Sequence, residues 1–116
     1  MQLAEKQCSP CKGEHEQPIS ESEALGLLKG LPGWQIENGR LVMGYEFSTF
    51  AEAVSFLDRI AIIASKEEHT PDVCIEDYNK MKLSLYTYCC GGLTENDFIL
   101  AAKIGKSHEG YVREMR

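Results

Sequence analysis

The segment EEHTPDVCIEDYNKMKLSLYTYCCGGLTEND, residues 67–97, contains the most strand-like run of the chain and its clearest loop-to-helix signal. Residues 80–88 alternate apolar and polar side chains, which is typical of a strand with one buried and one accessible face. A pair of glycines then allows a sharp turn, and Thr94 with Asp97 three positions later is typical of a helix N-cap. The segment therefore predicts a strand, a tight loop and a helix in succession.

Two capping boxes and one hairpin turn locate the other elements. Ser20 and Thr49 each precede a glutamate by three positions, and such pairs begin helices. The Asn38-Gly39 dipeptide favours a hairpin turn because both residues tolerate a positive φ. The predicted elements are helix 21–29, strands 34–37 and 40–47, a helix from Thr49 to about Lys66, strands 73–77 and 80–88, and helix 95–106. This order, α-β-β-α-β-β-α, predicts an α+β domain with an antiparallel sheet and its helices on one face.

Length, charge and hydropathy restrict the classes to which the chain can belong. Its 116 residues suffice for one domain, and no apolar run approaches the roughly 20 residues that cross a bilayer. A formal net charge of −6 argues against nucleic acid as a partner, because binding to phosphates relies on lysine and arginine. Residues 1–12 lack the apolar block of a signal peptide, so we expect a cytoplasmic protein in which disulfides are rare.

The two ends of the chain lack regular periodicity. We expect residues 1–19 to form a flexible arm, residues 20–106 the folded domain and residues 107–116 a frayed C-terminal tail. His108 lies in this tail and has no evident role.

The N-terminal arm contains a possible metal motif. Cys8, Cys11 and His15 could supply three zinc ligands, but a structural zinc site needs a fourth, and the chain offers no second pair at a suitable spacing. The motif therefore has two interpretations. It is either a metal or redox site, or part of an arm that is disordered or contacts another subunit. We predict no metal site. Ordinary packing is expected for the remaining cysteines, Cys74, Cys89 and Cys90.

The long central helix has more apolar surface than one packing partner can cover. Two adjacent stripes are apolar: Phe50, Val54, Leu57, Ala61 and Ala64 on one, and Ala53, Phe56, Ile60 and Ile63 on the other. A helix that packs only on its own sheet needs a stripe of about 100°. The surplus predicts contact with another subunit. The alternative, a deeply buried helix, is hard to provide in a domain of this size.

The chain resembles the pterin-4a-carbinolamine dehydratase family from about residue 20 to residue 105. The resemblance rests on Gly33-Trp34, His69-x-Pro71-Asp72, Tyr78-Asn79-Lys80 and the run Gly91-Gly92-Leu93-Thr94-Glu95-Asn96-Asp97. It implies a four-stranded antiparallel sheet with three helices, dimers that extend the sheet, and tetramers that bundle the long helices. It also implies a pterin as the ligand and no further cofactor.

The catalytic residues of the family are only partly present. Its enzymes place two histidines before the proline and a third after the threonine on the fourth strand, and these positions hold His69, Thr70 and Tyr88. The family aspartate is retained as Asp97. The resemblance implies that the pocket is lined by Thr70, Pro71, Asp72 and Tyr78.

Dehydration of a carbinolamine needs one group to protonate the departing hydroxyl and another to take the nitrogen-linked proton. Histidine suits both tasks because it titrates near neutral pH, whereas threonine does not, and tyrosine, with a reference pKa of about 10, is a reluctant base. His69 and Asp97 also have purely structural interpretations, as a helix C-terminal residue favoured by the dipole and as a capping carboxylate.

Two hypotheses follow. The first, which we favour because two of three histidines are absent, is a non-catalytic protein that binds a protein partner. Within the family, a member with altered histidines is most similar to the Rubisco assembly factors of carboxysome-bearing bacteria. The second is a weakened dehydratase with His69 as acid or base, Tyr88 as hydrogen-bond donor and Asp97 orienting the substrate.

Overall fold

The computed structural model describes residues 2–10 and 17–114. Its elements are a short 3-10 helix (Leu3–Glu5), α1 (Glu21–Leu28), β1 (Gln35–Glu37), β2 (Arg40–Glu46), α2 (Phe50–Glu67), β3 (Asp72–Glu76), β4 (Lys80–Leu85) and α3 (Glu95–Glu114). The predicted α+β class and the order α-β-β-α-β-β-α are confirmed.

Capping side chains explain where the first two long helices begin. The hydroxyls of Ser20 and Thr49 each accept a 3.1 Å hydrogen bond from the backbone amide three residues later. The second of these helices, α2, ends at Glu67, and its C-cap residue Glu68 adopts the left-handed conformation with φ 54°. This cap turns the chain sharply and leaves His69 just beyond the helix.

The four strands form one antiparallel sheet in the order β1-β2-β4-β3. Alternate residues of the central strand β4, Met81, Leu83 and Leu85, are at most 1% exposed and belong to the core. The intervening residues point to the opposite face, which we call the open face and which carries mostly polar side chains. Strand pairing places Ser84 of β4 between Val42 and Asp72 on this face.

The last helix is longer than predicted. It continues to residue 114, so the prediction of a frayed tail from residue 107 is wrong for the described residues. Tyr111 is 4% exposed and donates a 3.0 Å hydrogen bond to the Glu52 carbonyl, and His108 stacks on Tyr45 with ring centroids 3.9 Å apart. These contacts outweigh the cost of Gly105 and Gly110 within α3, about 1 kcal/mol each.

Residues 2–10, predicted to belong to a flexible arm, pack against α3. The Lys103 ammonium donates a 2.9 Å hydrogen bond to the Ala4 carbonyl. Ser9 and Asn96 exchange two hydrogen bonds of 2.9 and 2.7 Å between the backbone of one and the side-chain amide of the other. Among the described helices, none has both the length and the hydropathy that crossing a membrane requires.

The two apolar stripes of α2 differ in their surroundings. Ala53, Phe56 and Ile60 are buried in the core, whereas Phe50 and Val54 are 56% and 42% exposed. The expected surplus of apolar helix surface is therefore present. That another subunit covers it stays a prediction.

Candidate active site

His69 and Asp97 meet at one end of the sheet. His69 follows the left-handed cap of α2, and its amide donates a 3.2 Å hydrogen bond back to the Ala64 carbonyl. Its Nε2 lies 2.7 Å from Asp97 Oδ1, with the imidazole 14% exposed and the carboxylate fully buried. Since an ionised carboxylate only accepts hydrogen bonds, Nε2 is the donor and Nδ1 is left to interact with a ligand.

Asp97 is both a capping residue and a partner of the histidine. Its Oδ2 accepts hydrogen bonds from the Thr94 amide at 3.0 Å and from the Thr87 hydroxyl at 2.8 Å. The Thr87 and Thr94 hydroxyls are also 2.8 Å apart, so Thr94 donates to Thr87. The N-cap predicted from the spacing of Thr94 and Asp97 is confirmed, and the same carboxylate also orients His69.

Tyr88 belongs to a second cluster, on the open face of the sheet. Its hydroxyl lies 2.5 Å from Asp72 Oδ2 and donates to it. Arg40 donates to the Tyr88 oxygen at 3.1 Å and to Asp72 at 3.3 Å. The guanidinium also lies 4.4 Å from the centroid of the Tyr86 ring. The hydrogen bond to Tyr88 raises the pKa of Arg40 above its ordinary value.

The two clusters are joined through adjacent residues. Thr87 contacts Asp97 on the core side, and Tyr88, which follows it, contacts Asp72 on the open face. Beyond the end of β4, Thr87 forms an isolated β-bridge with Gly92, and Tyr88 begins the turn that follows.

The remaining predicted pocket residues occupy different positions. Thr70 is exposed and Pro71 is buried between His69 and the start of β3. Tyr78 lies in the turn after β3, at the opposite end of that strand from Asp72, and is 59% exposed. The structure therefore does not bring Tyr78 to the histidine.

Arg40 and Thr87 were missed by the sequence analysis. Arg40 is far from Tyr88 in sequence but reaches it because β2 pairs with β4, with Leu41 opposite Leu85. Only the register of this pairing could have indicated the contact. Thr87 could have been found from its place one residue before Tyr88, facing the core.

The cysteines do not assemble a metal site within residues 2–10 and 17–114. Cys11 and His15 of the predicted motif lie outside the described residues. Burial raises the pKa of Cys8 to about 12, with the Glu67 carboxylate adding to the shift, so this thiol stays protonated. Cys74 is a free thiol, but Cys89 is disulfide-bonded, so the expectation of ordinary packing is wrong for Cys89.

Comparison with known proteins identifies the class that this fold and site define. Residues 17–107 match the family model described as pterin 4 alpha carbinolamine dehydratase. The chain belongs to this family.

Individual relatives agree with that assignment. The chain is 37% identical over 108 residues to pterin-4-alpha-carbinolamine dehydratase 2, mitochondrial, of Arabidopsis thaliana, a match that spans 90% of this chain and 58% of the relative. It is 39% identical over 104 residues to a putative pterin-4-alpha-carbinolamine dehydratase of Dechloromonas aromatica, covering 90% of this chain and 91% of the relative.

Two solved structures share the fold. A transcriptional coactivator/pterin dehydratase of Brucella melitensis has a TM-score of 0.73 and 29% identity over 78% of this chain and 98% of its own. A pterin dehydratase-like protein described as a RuBisCO assembly factor in the alpha-carboxysome has a TM-score of 0.52 and 16% identity, covering 81% of this chain and 92% of its own. The second likeness shows the fold alone.

Proposed function

We propose that this chain binds a pterin-4a-carbinolamine and dehydrates it slowly, with His69 as the imidazole proton carrier. The observation that carries the proposal is the 2.7 Å hydrogen bond between His69 Nε2 and the fully buried Asp97. A neutral imidazole held in one tautomer by a carboxylate is suited to accept a proton at its other nitrogen. The relatives at 37% and 39% identity are named as dehydratases, which favours this hypothesis over the assembly factor at 16% identity.

The proposed reaction removes water across a carbon–nitrogen bond. The bond between C4a and the hydroxyl oxygen breaks, and the hydroxyl leaves as water after receiving a proton. The neighbouring ring nitrogen loses its proton, and its electron pair forms the C=N bond of the product. His69 Nδ1 takes the nitrogen-linked proton, and the Tyr88 hydroxyl is the donor for the departing oxygen.

Two features of the site lower the proposed rate. Tyr88 donates its hydrogen to Asp72, so a bound hydroxyl has to compete with that carboxylate for the same hydrogen. Thr70 is exposed and has no group that titrates near neutral pH. Since each general acid or base contributes roughly 10²- to 10⁴-fold, we expect turnover at least about 10²-fold below that of a relative with three histidines.

The test is turnover of a tetrahydropterin carbinolamine above its spontaneous rate. His69→Gln should abolish the catalysed rate, and Tyr88→His should raise it by about tenfold or more because imidazole is a better proton carrier than a phenol. Tyr78→His is the matched control, since it adds an imidazole at the far end of β3 and should leave the rate unchanged. Equal rates for the native chain and His69→Gln would refute the proposal.

A second candidate function rests on the exposed stripe of α2. Phe50 and Val54 present apolar surface of the kind that meets another protein. Under this alternative the chain forms a dimer or tetramer that binds a protein partner, and Rubisco is the partner suggested by the structural neighbour. Carboxysome association would follow from that partner.

The oligomeric state tests this alternative first. Light scattering should give a mass that is a multiple of 13.0 kDa, and Val54→Lys should reduce it because the stripe would then carry a charge. Ser55→Lys is the matched control, because Ser55 is exposed but lies off the stripe. A monomeric native chain would contradict the subunit contact. A chain that oligomerises but does not increase the yield of assembled Rubisco would contradict the assembly role.

A further inference from the structure

A cavity of about 730 Å³ lies on the helix side of the sheet, apart from the His69 site. Its walls are the N-terminal 3-10 helix, the connection from α1 to β1, strand β2 and the middle of α3. The principal lining residues are Trp34, Met43, Tyr45, Gly105, Lys106 and His108. None of the residues of the candidate active site lines it, and its volume falls within the range of roughly 300–1,000 Å³ typical of small-molecule sites.

Trp34 presents an unused hydrogen-bond donor to this cavity. The side chain is 5% exposed, and its indole N–H has no hydrogen-bond partner within residues 2–10 and 17–114. Among the side-chain nitrogen and oxygen atoms of the described residues, Ser84 Oγ is the one that is both shielded from solvent and without a hydrogen-bond partner. The indole nitrogen of Trp34 also has no partner, so it is accessible from the cavity. A buried indole N–H usually has a partner. Its absence here points to a ligand atom that accepts this hydrogen bond.

Tyr45 and His108 form a flat aromatic wall beside the indole. Their rings stack with centroids 3.9 Å apart and an interplanar angle of 17°. Neither the Tyr45 hydroxyl nor the His108 imidazole has a hydrogen-bond partner among the described residues. Burial raises the pKa of Tyr45 to about 12 and lowers that of His108, so both are neutral at pH 7.

The charges at the rim favour a neutral ligand. Lys106 and Glu109 both line the cavity, so a formal anion or cation would meet one charge of each sign. The polar groups inside the cavity are neutral, and the donors among them suit a carbonyl oxygen. The flat aromatic wall suits a planar ring.

We propose that this cavity binds a planar, uncharged aromatic molecule with a ring carbonyl, whose oxygen accepts the hydrogen bond of the Trp34 indole. The site is independent of the proposed dehydratase chemistry. It requires that the ligand enter beside Gly105, which lines the same cavity. A Cβ atom at Gly105 would lie 3.8 Å from Trp34 Nε1, so a larger side chain there would fill the space next to the donor.

The sole tryptophan makes the test specific to this cavity. The probe is 7-amino-4-methylcoumarin, a flat neutral carbonyl compound whose absorption overlaps tryptophan emission. Titration should quench Trp34 fluorescence saturably, with a midpoint of about 1 mM or lower for a ligand of this size. Quenching that stays linear with probe concentration would overturn the proposal.

Two glycines of α3 provide the matched variants. Gly105→Leu should weaken binding at least tenfold, whereas Gly110→Leu, at a position where a Cβ atom meets nothing within 4 Å, should leave it unchanged. Equal affinity of Gly105→Leu and the native chain would show that the probe binds elsewhere and would overturn the proposal. If Gly105→Leu does not fold, Gly105→Ala, whose methyl group fits at van der Waals distance, should still weaken binding several-fold, and an unchanged midpoint would be equally decisive against the site.

His69→Gln separates this inference from the proposed function. The variant should bind the coumarin with the native midpoint, because His69 does not line the cavity. A loss of coumarin binding in His69→Gln would place the probe in the active site and overturn the assignment. A loss of turnover with native coumarin binding would leave both proposals standing.

Discussion

Replacement of Asp97 by alanine tests whether this carboxylate supports the fold as well as the chemistry. The native carboxylate accepts three hydrogen bonds of 2.7, 2.8 and 3.0 Å, from His69, Thr87 and Thr94. Hydrogen bonds to a charged group contribute about 1.5–3 kcal/mol each, but they are not additive. Thr87 keeps its contact with the Thr94 hydroxyl, and His69 is partly exposed and can bond to water. We therefore expect Asp97→Ala to lower the free energy of unfolding by about 3–5 kcal/mol.

Asp97→Asn is the matched variant. Its amide oxygen can still accept from Thr87 and Thr94, and its amide nitrogen can donate to His69 Nε2 once the imidazole changes tautomer. The variant should therefore lose only about 1 kcal/mol. It should nevertheless lose dehydratase turnover, because the hydrogen on His69 then occupies Nδ1, the nitrogen that has to accept the proton.

Urea unfolding at a fixed protein concentration measures both variants. The midpoint should fall while the slope with denaturant stays unchanged, since the exposed surface is nearly the same. An Asp97→Ala variant within about 1 kcal/mol of the native chain would refute the structural role. Equal losses for the alanine and asparagine variants would refute the hydrogen-bond assignment, because they would show that the charge and not the geometry is required.

Three further predictions concern other parts of the molecule. Asn79→Ala removes the 2.8 Å hydrogen bond to the Phe47 carbonyl and should cost about 1–3 kcal/mol in urea unfolding. Burial lowers the pKa of His108, so the unfolded chain binds a proton more readily than the folded chain. The free energy of unfolding should therefore fall as the pH drops below 6.5. Melting curves of His108→Asn should show a smaller loss of stability over the same pH range. Gly26→Ala lies inside α1, with nothing within 4 Å of the new methyl group, and should raise the free energy of unfolding by about 0.5–1 kcal/mol. Gly39→Ala should instead lower the melting temperature, because a φ of 75° is strained for alanine.

Local patterns predicted most of the secondary structure because the signals are local. The hydroxyl caps at Ser20 and Thr49 need only residues within one helical turn, and both occur in the structure. The alternation along residues 80–85 reports directly on which face of β4 is buried. The family resemblance supplied the positions of His69 and Asp97, and the structure brings these two residues together.

The features that were not predicted depend on contacts between distant parts of the chain. α3 continues past two glycines because Tyr111 and His108 pack on the core, which no helix propensity could indicate. The contact of Arg40 with Tyr88 requires the register of β2 against β4. The composition of residues 2–10 gave no sign that they pack on α3, because their contacts use backbone groups as much as side chains.

Thr87 is buried and the next residue, Tyr88, is exposed, which divides the site into halves with different evolutionary freedom. A substitution at Thr87 disturbs a buried hydrogen-bond network and should destabilise the native state whether or not turnover matters. A substitution at Tyr88, which is 62% exposed, removes the contacts with Arg40 and Asp72 and leaves the buried network in place. A lineage in which demand for the reaction relaxed would therefore lose the outer proton carrier first, while the inner pair of His69 and Asp97 persisted as a by-product of selection for folding.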